Sequence, residues 1–355
     1  MSSLARYVVR TVLGYTALVL LVLIALGTLF LFIGQQDDIG TGGYTIREAA
    51  IFVALNLPTY IAQLLPVAAL IGTLLGLGHL ANGSELVVMR ASGISTLQFS
   101  RWLAVAGAIL AVAMVLVSEF VAPPLENYAQ QLKVFSKYDE FSFAGDRGAW
   151  VRDGDTIISV EKQSASALYG GIHIFRFDPK RQLYAVGRAD SARVDETNHW
   201  VLQNYVETQF ANLGTSSSRD ARLAVQSTLS PDFLGLAVVD PATMGLRDLR
   251  AYIGHLRDND LDSSTFEVAL WSRAARVVTL VIVVILALPF ALGPMRASGQ
   301  GARTVVGILI GATYVLASRT LESSGQLFDL TPWIVGWLPA AVLAAFTGVM
   351  LTRVR

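Results

Sequence analysis

Apolar residues run along this chain in six long stretches, and the polar residues gather between the third and the fourth. A helix that crosses the hydrocarbon core of a bilayer needs about 20 mainly apolar residues. The first stretch runs from about Val8 to Ile33, with no charge between Leu18 and Leu31. The second runs from about Ala49 to Leu80, interrupted by Pro58 and Pro66, and the third from about Leu97 to Val121, stopping at Pro123-Pro124. The fourth runs from about Val268 to Leu292, the fifth from Thr304 to Leu321 and the sixth from Pro332 to Leu351. The first is too long for a signal-peptide core, and no small-residue cleavage site follows it. The pattern predicts three spans, a large polar insert, then three more spans.

Basic residues near the span ends set orientation. With the N-terminus placed inside, the inner segments carry Arg6, Arg10, Arg90, Arg101, Arg296, Arg303, Arg353 and Arg355, with Glu85 as the acid. The two short outer loops carry Asp37, Asp38, Glu48, Glu322 and Asp329 against Arg47. Both termini are therefore expected in the cytoplasm and the insert on the far side. The expected domains are residues 1–122 (spans one to three), 123–265 (the insert) and 266–355 (spans four to six).

Within the insert the period changes. From Leu125 to Tyr138 it suggests a helix leading out of span three. Ile172-His173-Ile174-Phe175-Arg176-Phe177 and Trp200-Val201-Leu202-Gln203-Asn204-Tyr205-Val206 are rich in β-branched and aromatic residues, as strands are. Turn signals fall at Asp153-Gly154-Asp155, Gly170-Gly171, Asp178-Pro179, Asp195-Glu196-Thr197-Asn198 and Asn212-Leu213-Gly214. Short strands at that rhythm predict an all-β sandwich or jellyroll of about six to eight strands. Leu246, Leu249, Ile253 and Leu256 then give one apolar helix face in a connector ending near Asp262.

Composition sharpens this. The chain is 53% hydrophobic and 15% charged, against about 25% charged for a soluble domain. Of its 54 Asp, Glu, Lys and Arg, 34 lie between Pro123 and Ser263. That excludes a soluble enzyme and a disordered chain. With net charge zero no bulk field draws in nucleic acid. There are no cysteines, hence no disulfide, thiolate or Cys-based metal site.

Catalytic chemistry is sparse. His79, His173, His199 and His255 have no partner at metal-ligand spacing, and HExxH, GxSxG and a Walker A loop are absent. No metal or cofactor is expected in this chain. Gly72, Gly76 and Gly78, like Gly307 and Gly311, read as small residues for close helix packing. Arg273 and Arg276 open span four; they read as snorkelling cations, or Arg273 faces an anionic substrate. Glu119 lies near the outer end of span three, and Arg319 and Glu322 are spaced to pair on one helix face.

The stretch between spans two and three is more specific. Asn82 with Glu85 three residues on resembles a capping box, and Gly93 supplies a stop. Residues 83–93 should form a short helix at the inner membrane surface, with Leu86 and Met89 or Arg90 on one face and Glu85 favourable in the first turn. Such a helix is either an interfacial turn or the piece a soluble motor grips.

The wording Ser84-Glu85-Leu86-Val87-Val88-Met89-Arg90-Ala91-Ser92-Gly93 resembles the coupling-helix signature of the LptF/LptG permeases of the lipopolysaccharide exporter, the YjgP/YjgQ family. Leu64-Leu65-Pro66-Val67-Ala68-Ala69-Leu70-Ile71-Gly72, Val121-Ala122-Pro123, Trp150-Val151-Arg152-Asp153-Gly154 and Leu292-Gly293-Pro294-Met295-Arg296 match as well, so the likeness covers nearly the whole chain. Within the family the loop is closer to LptG than to LptF. The resemblance implies six transmembrane helices with a periplasmic jellyroll in a Gram-negative inner membrane. It implies a second permease, LptF, a cytoplasmic LptB dimer that binds ATP and magnesium, and LptC. The substrate would be lipopolysaccharide, taken from the inner membrane and passed toward the outer membrane. Ser84, Glu85, Leu86, Met89, Arg90 and Gly93 would then couple to the ATPase. Apolar walls from spans one, two and five would hold acyl chains, and one of the pairs Ile172/Ile174 and Phe175/Phe177 would line the lipid path in the sandwich. Where the family often carries lysines for lipid A phosphates, at the outer end of span one, this sequence reads Gln35-Gln36-Asp37-Asp38. Acids repel phosphates unless a divalent cation bridges them, which leaves Arg47 as a candidate there.

Two other functions compete. A membrane-anchored periplasmic scaffold needs one or two spans, not six Gly-rich ones, and has no use for a capped inner helix. A mechanotransmission permease, which does not carry lipid itself, usually has four spans. An intramembrane enzyme has no acid, base or metal set in any span.

Overall fold

The computed structural model describes residues 3–137, 149–163, 168–178, 182–194, 199–211, 214–226, 241, 244–292, 300–327 and 330–353. Among these residues six helices are long and apolar enough to cross a membrane. They are α1 (Ser3–Ile33), α2 (Ile46–Asn82), α4 (Thr96–Leu116, continuing below), α7 (Ser264–Leu292), α8 (Gln300–Leu327) and α9 (Pro332–Arg353). The short α3 (Glu85–Ala91) lies between α2 and α4.

Prolines act differently from the sequence reading. Helix α2 runs unbroken through Pro58 and Pro66. Span three does not stop at Pro123-Pro124. It passes through a π-helical turn, Val117–Val121, into α5 (Ala122–Lys137). The two prolines fall in the first turn after the π-turn, near the start of a helical segment where a missing N–H is tolerated.

The chain divides into two compact units: Met1–Asp37 with Ala50–Ala129 and Ser263–Arg355, and Asp38–Ala49 with Gln130–Asp262. The core of the first unit joins Val8, Val9 and Val12 of α1, Leu70, Leu74, Leu77 and Leu80 of α2, Phe99, Trp102 and Leu103 of α4, and Val283, Val284, Leu286 and Leu288 of α7. Close approach needs small residues here. A Cβ at Gly72 would lie 2.4 Å from Thr16 Cα, so the backbones of α1 and α2 touch only because position 72 has no side chain.

Among its described residues the second unit holds six antiparallel strands in the order β1-β2-β3-β4-β5-β6: β1 (Ala149–Asp153), β2 (Thr156–Gln163), β3 (Leu168–Phe177), β4 (Leu183–Val194), β5 (His199–Ala211) and β6 (Gly214–Gln226). Both strands read from the sequence are present, as β3 and β5. Asp153 pairs with Thr156, making Gly154-Asp155 a two-residue hairpin turn with Gly154 at φ 59°. The Gly170-Gly171 pair, expected as a turn, lies inside β3, with Gly171 at φ 61° and the pairing register unbroken on both sides. The turn signals at Pro179, Asp195 to Asn198 and Asn212-Leu213 lie outside the described residues. Helix α6 (Leu246–Asp258) buries Leu249, Tyr252, Ile253 and Leu256 along the predicted face. The fold is thus an α-helical membrane protein with an antiparallel sheet inserted between spans three and four, consistent with a jellyroll-like domain.

Candidate functional site

Helix α3 begins at a sharp corner. Asn82 is not its cap: it is the last residue of α2. The corner residue is Ser84, left-handed at φ 58°, whose carbonyl accepts from the N–H groups of Val87 and Val88, each at 3.1 Å. Ser92 closes the helix, and Gly93 follows at φ 91°, a conformation that favours glycine.

Leu86 and Met89 share a face, as expected, but it points inward. Leu86 is 2% exposed, and both side chains pack in the core with Val8, Leu80, Phe99 and Trp102. They hold α3 to the spans rather than fill a groove on another chain. The outward face carries Val87, Val88 and Arg90, with Val88 66% exposed. Glu85, half-buried, accepts from the Tyr7 hydroxyl of α1 at 3.3 Å.

In the spans, Arg273 pairs with an acid of span three. Its Nη1 lies 3.2 Å from Glu119 Oε1, and the two side chains are only 12% and 16% exposed. Glu119 sits in the π-helical turn. A π-turn shifts the following side chains around the helix axis, a device frequent at functional sites. On the same helical segment, Glu126 is buried and accepts from Thr59 Oγ1 at 2.8 Å.

Asp38 accepts from Lys133 at 2.7 Å and from Lys137, both of α5. Hydrogen bonds from these lysines hold its carboxyl below the ordinary range. The acid at the end of span one is thus neutralised by two cations that the local sequence did not reveal, being about a hundred residues away. Arg47 is exposed at the start of α2, its N–H bonded to Thr45 Oγ1 at 3.3 Å.

The inserted sheet has one buried face. It carries Ile158 and Val160 of β2, Ile172 and Ile174 of β3, Ala189 and Ala192 of β4, and Trp200, Leu202 and Tyr205 of β5. Ile172 and Ile174 belong to it; Phe175 and Phe177 point the other way, and Phe175 stacks on Trp150 with centroids 5.6 Å apart. Strand alternation alone would put Tyr205 on the face opposite Trp200 and Leu202. A kink corrects it: Asn204 adopts φ 52° and donates to Asp190 of β4 at 3.0 Å. Beyond the kink Tyr205 and Glu207 continue on the buried side.

One end of that face is polar. Glu207 Oε2 accepts from Tyr205 at 2.5 Å and from Arg176 Nη1 at 3.1 Å, and Glu207 Oε1 from Gln209 at 2.8 Å. Burial raises the Glu207 pKa, but the bonds from Gln209 and Tyr205 and the Arg176 charge outweigh it and leave the group below its usual value. Burial and the bond to Glu207 push the Tyr205 hydroxyl well up. The Tyr205 ring fits across β4 because position 187 is glycine: a Cβ there would lie 2.1 Å from its hydroxyl oxygen.

Six candidate spans with a short helix packed in their core and a β-sheet inserted between the third and fourth define a multi-pass membrane protein. The chain belongs to the family described as lipopolysaccharide export system permease LptF/LptG, which matches residues 6–353. It is 28% identical to the lipopolysaccharide export system permease protein LptG of Escherichia coli K12 over 340 residues, 95% of this chain and 94% of that protein. It is 26% identical to LptG of Haemophilus influenzae over 355 residues, covering 100% and 99% of the two chains.

Proposed function

We propose that this chain is an LptG-type permease that extracts lipopolysaccharide from the inner membrane and hands it to a periplasmic bridge. Its partners would be an LptF permease, a cytoplasmic LptB dimer that binds ATP and magnesium, and LptC. Both termini then lie in the cytoplasm and the sheet in the periplasm, in keeping with the arginine bias of the inner loops.

One observation carries the reading: α3 is a surface helix whose inner face is part of the span core. A motor that displaces Val88 and Arg90 must move Leu86 and Met89, and with them the ends of α1, α2 and α4. Packed interiors transmit such displacements because they are stiff. Glu85 offers a charge-assisted bond at the start of the same helix, of a kind worth about 1.5–3 kcal/mol. In the periplasm the buried face around Ile172 and Ile174 suits acyl chains, which must be kept from water.

The test is to purify the chain from its host and identify the ATPase and second permease that accompany it. ATP-driven release of lipopolysaccharide from proteoliposomes is then measured. Release from the intact complex, lost with Val88→Asp, is expected. An accompanying ATPase with no lipid release would favour a mechanotransmission permease and overturn the reading.

A further inference from the structure

Helix α8 is closely seated against α2. A Cβ at Gly307 would lie 2.6 Å from Leu74 Cδ1 and one at Gly311 3.3 Å from Val67 Cγ1, so the two helices meet through glycines. On its flank toward α9 the fit is open. A groove of about 470 Å³ runs between the two helices, from Leu309 to Leu321 on α8 and from Leu338 to Phe346 on α9. In its walls Ala317 offers only a methyl group, and Pro339 opposite disfavours a straight helix. The floor is closed. Behind Ile310, Tyr314 and Leu343 the remaining space is about 10 Å³, at most the room of one water. The Tyr314 hydroxyl is bonded to Thr279 of α7 at 3.2 Å, so its polar end is already engaged.

Among the described residues that line the groove none is charged. An ionic ligand has nothing there to hold it, whereas an apolar one meets the lining usual for such sites. Leu309 and Leu321 are twelve residues apart, about 18 Å along a helix. The groove is therefore about 26 Å² in section, or roughly 6 Å across. A helix with its side chains is about 10–12 Å wide and needs about three to four times that section. A span from a partner protein is thus too thick. One extended alkyl chain, its carbons about 3.5–4.0 Å from the atoms they touch, fits.

We propose that the groove between α8 and α9 binds one acyl chain of a membrane glycerophospholipid, as a resident lipid distinct from the exported one. A glycerophospholipid can lend one chain to a single-file groove while its other chain stays in the bilayer. Lipopolysaccharide carries several chains on one head, and a channel of this section cannot take them together. The bound chain supplies along Thr313, Ala317 and Leu338 the dispersion contacts that α8 and α9 do not give each other. It is a packing element that holds span five in place. The proposal needs the spans to lie in a bilayer and is independent of the transport reading.

The experiment uses the full chain, purified with its accompanying subunits, in vesicles of phosphatidylethanolamine and phosphatidylglycerol. A trace of the phosphatidylethanolamine carries a diazirine midway along one acyl chain. After illumination, adducts are mapped by mass spectrometry. Peptides holding Thr313, Ala317 and Leu338 should be labelled about tenfold more than those holding Val112 and Leu116, exposed apolar residues of α4; a tenfold ratio is about 1.4 kcal/mol of preference over passing lipid. Ala317→Phe fills the groove and should bring the ratio near unity while labelling of α4 persists. Leu338→Trp fills it from the facing wall and should do the same, so the outcome does not hang on the folding of one variant. Equal labelling of groove and α4 in the unaltered chain overturns the proposal. So does an unchanged ratio in both filled variants. Lipopolysaccharide bearing the same diazirine is the competitor: its capture in the groove in place of the phospholipid would make the groove part of the export path and overturn the assignment of a resident lipid.

Discussion

The Tyr7 hydroxyl reaches 3.3 Å across to Glu85, joining the start of the first span to the first residue of α3. Glu85 is thus tied to its own chain on one side while α3 shows Val88 and Arg90 on the other. Tyr7→Phe should leave ATPase association unchanged but lower the lipid exported per ATP hydrolysed, whereas Glu85→Lys should weaken both. Hydrolysis and release measured on the same proteoliposomes separate the two. Normal export by Glu85→Lys would sink the coupling role.

Leu86 and Val88 are two residues apart with opposite fates. Leu86→Ala should destabilise the span core by about 2–5 kcal/mol, the usual cost of a large-to-small change in a packed interior. Val88→Asp should leave thermal stability in detergent within about 0.5 kcal/mol yet abolish the ATPase pull-down. Equal stability losses in both variants would mean that α3 has no outward face.

The Glu119–Arg273 pair is mostly buried, so removing the arginine takes a cation from a carboxylate that has lost much of its hydration. Arg273→Met should cost about 3 kcal/mol, and adding Glu119→Gln should recover most of it. A double-mutant cycle by detergent-phase unfolding gives the coupling. Additive losses would show that the two side chains act independently.

Acid should loosen the inserted sheet through Glu207. Its folded pKa lies below the ordinary 4.5, so the unfolded form binds protons more readily. The stabilisation is complete above pH 4.5 and declines as pH falls below it through the folded value. Hydrogen exchange of β5 amides in the full chain, corrected for intrinsic rates, should show lower protection at pH 3.5 than at pH 6. Glu207→Gln should flatten that difference.

Much of this architecture was legible because membrane spans and strands are read by period and length alone. The short helix within residues 83–93 was visible from its start and stop residues, but Ser84 rather than Asn82 turns its corner, and the direction of its Leu86–Met89 face was not legible. Periodicity tells which residues share a face, not which face the core takes. Of the site residues that sequence reading missed, Tyr205 and Glu207 depend on the kink at Asn204, whereas Arg176 shares the face of Ile172 and Ile174 by plain alternation. Without it, alternation sends Glu207 to the opposite side from Trp200. The residue type was the available signal, since asparagine tolerates the left-handed conformation better than most. Lys133 and Lys137 were missed because their partner, Asp38, is distant in sequence.

Orientation has a direct test, made clean by the absence of native cysteine. Single cysteines at Asp37 and Ser216 should react with a membrane-impermeant thiol reagent in intact cells, and those at Ser2 and Ser92 should not. Reaction at Ser92 would invert the topology and put α3 beyond the reach of any cytoplasmic ATPase.

Ser84 turns the chain at φ 58° without being a glycine. A side chain there costs on the order of 1 kcal/mol of backbone strain, which glycine would relieve while admitting many more conformations. In mechanical terms the corner between α2 and α3 is a rigid elbow with little slack. A push on α3 would then be delivered to α2 as torque instead of being absorbed in the joint.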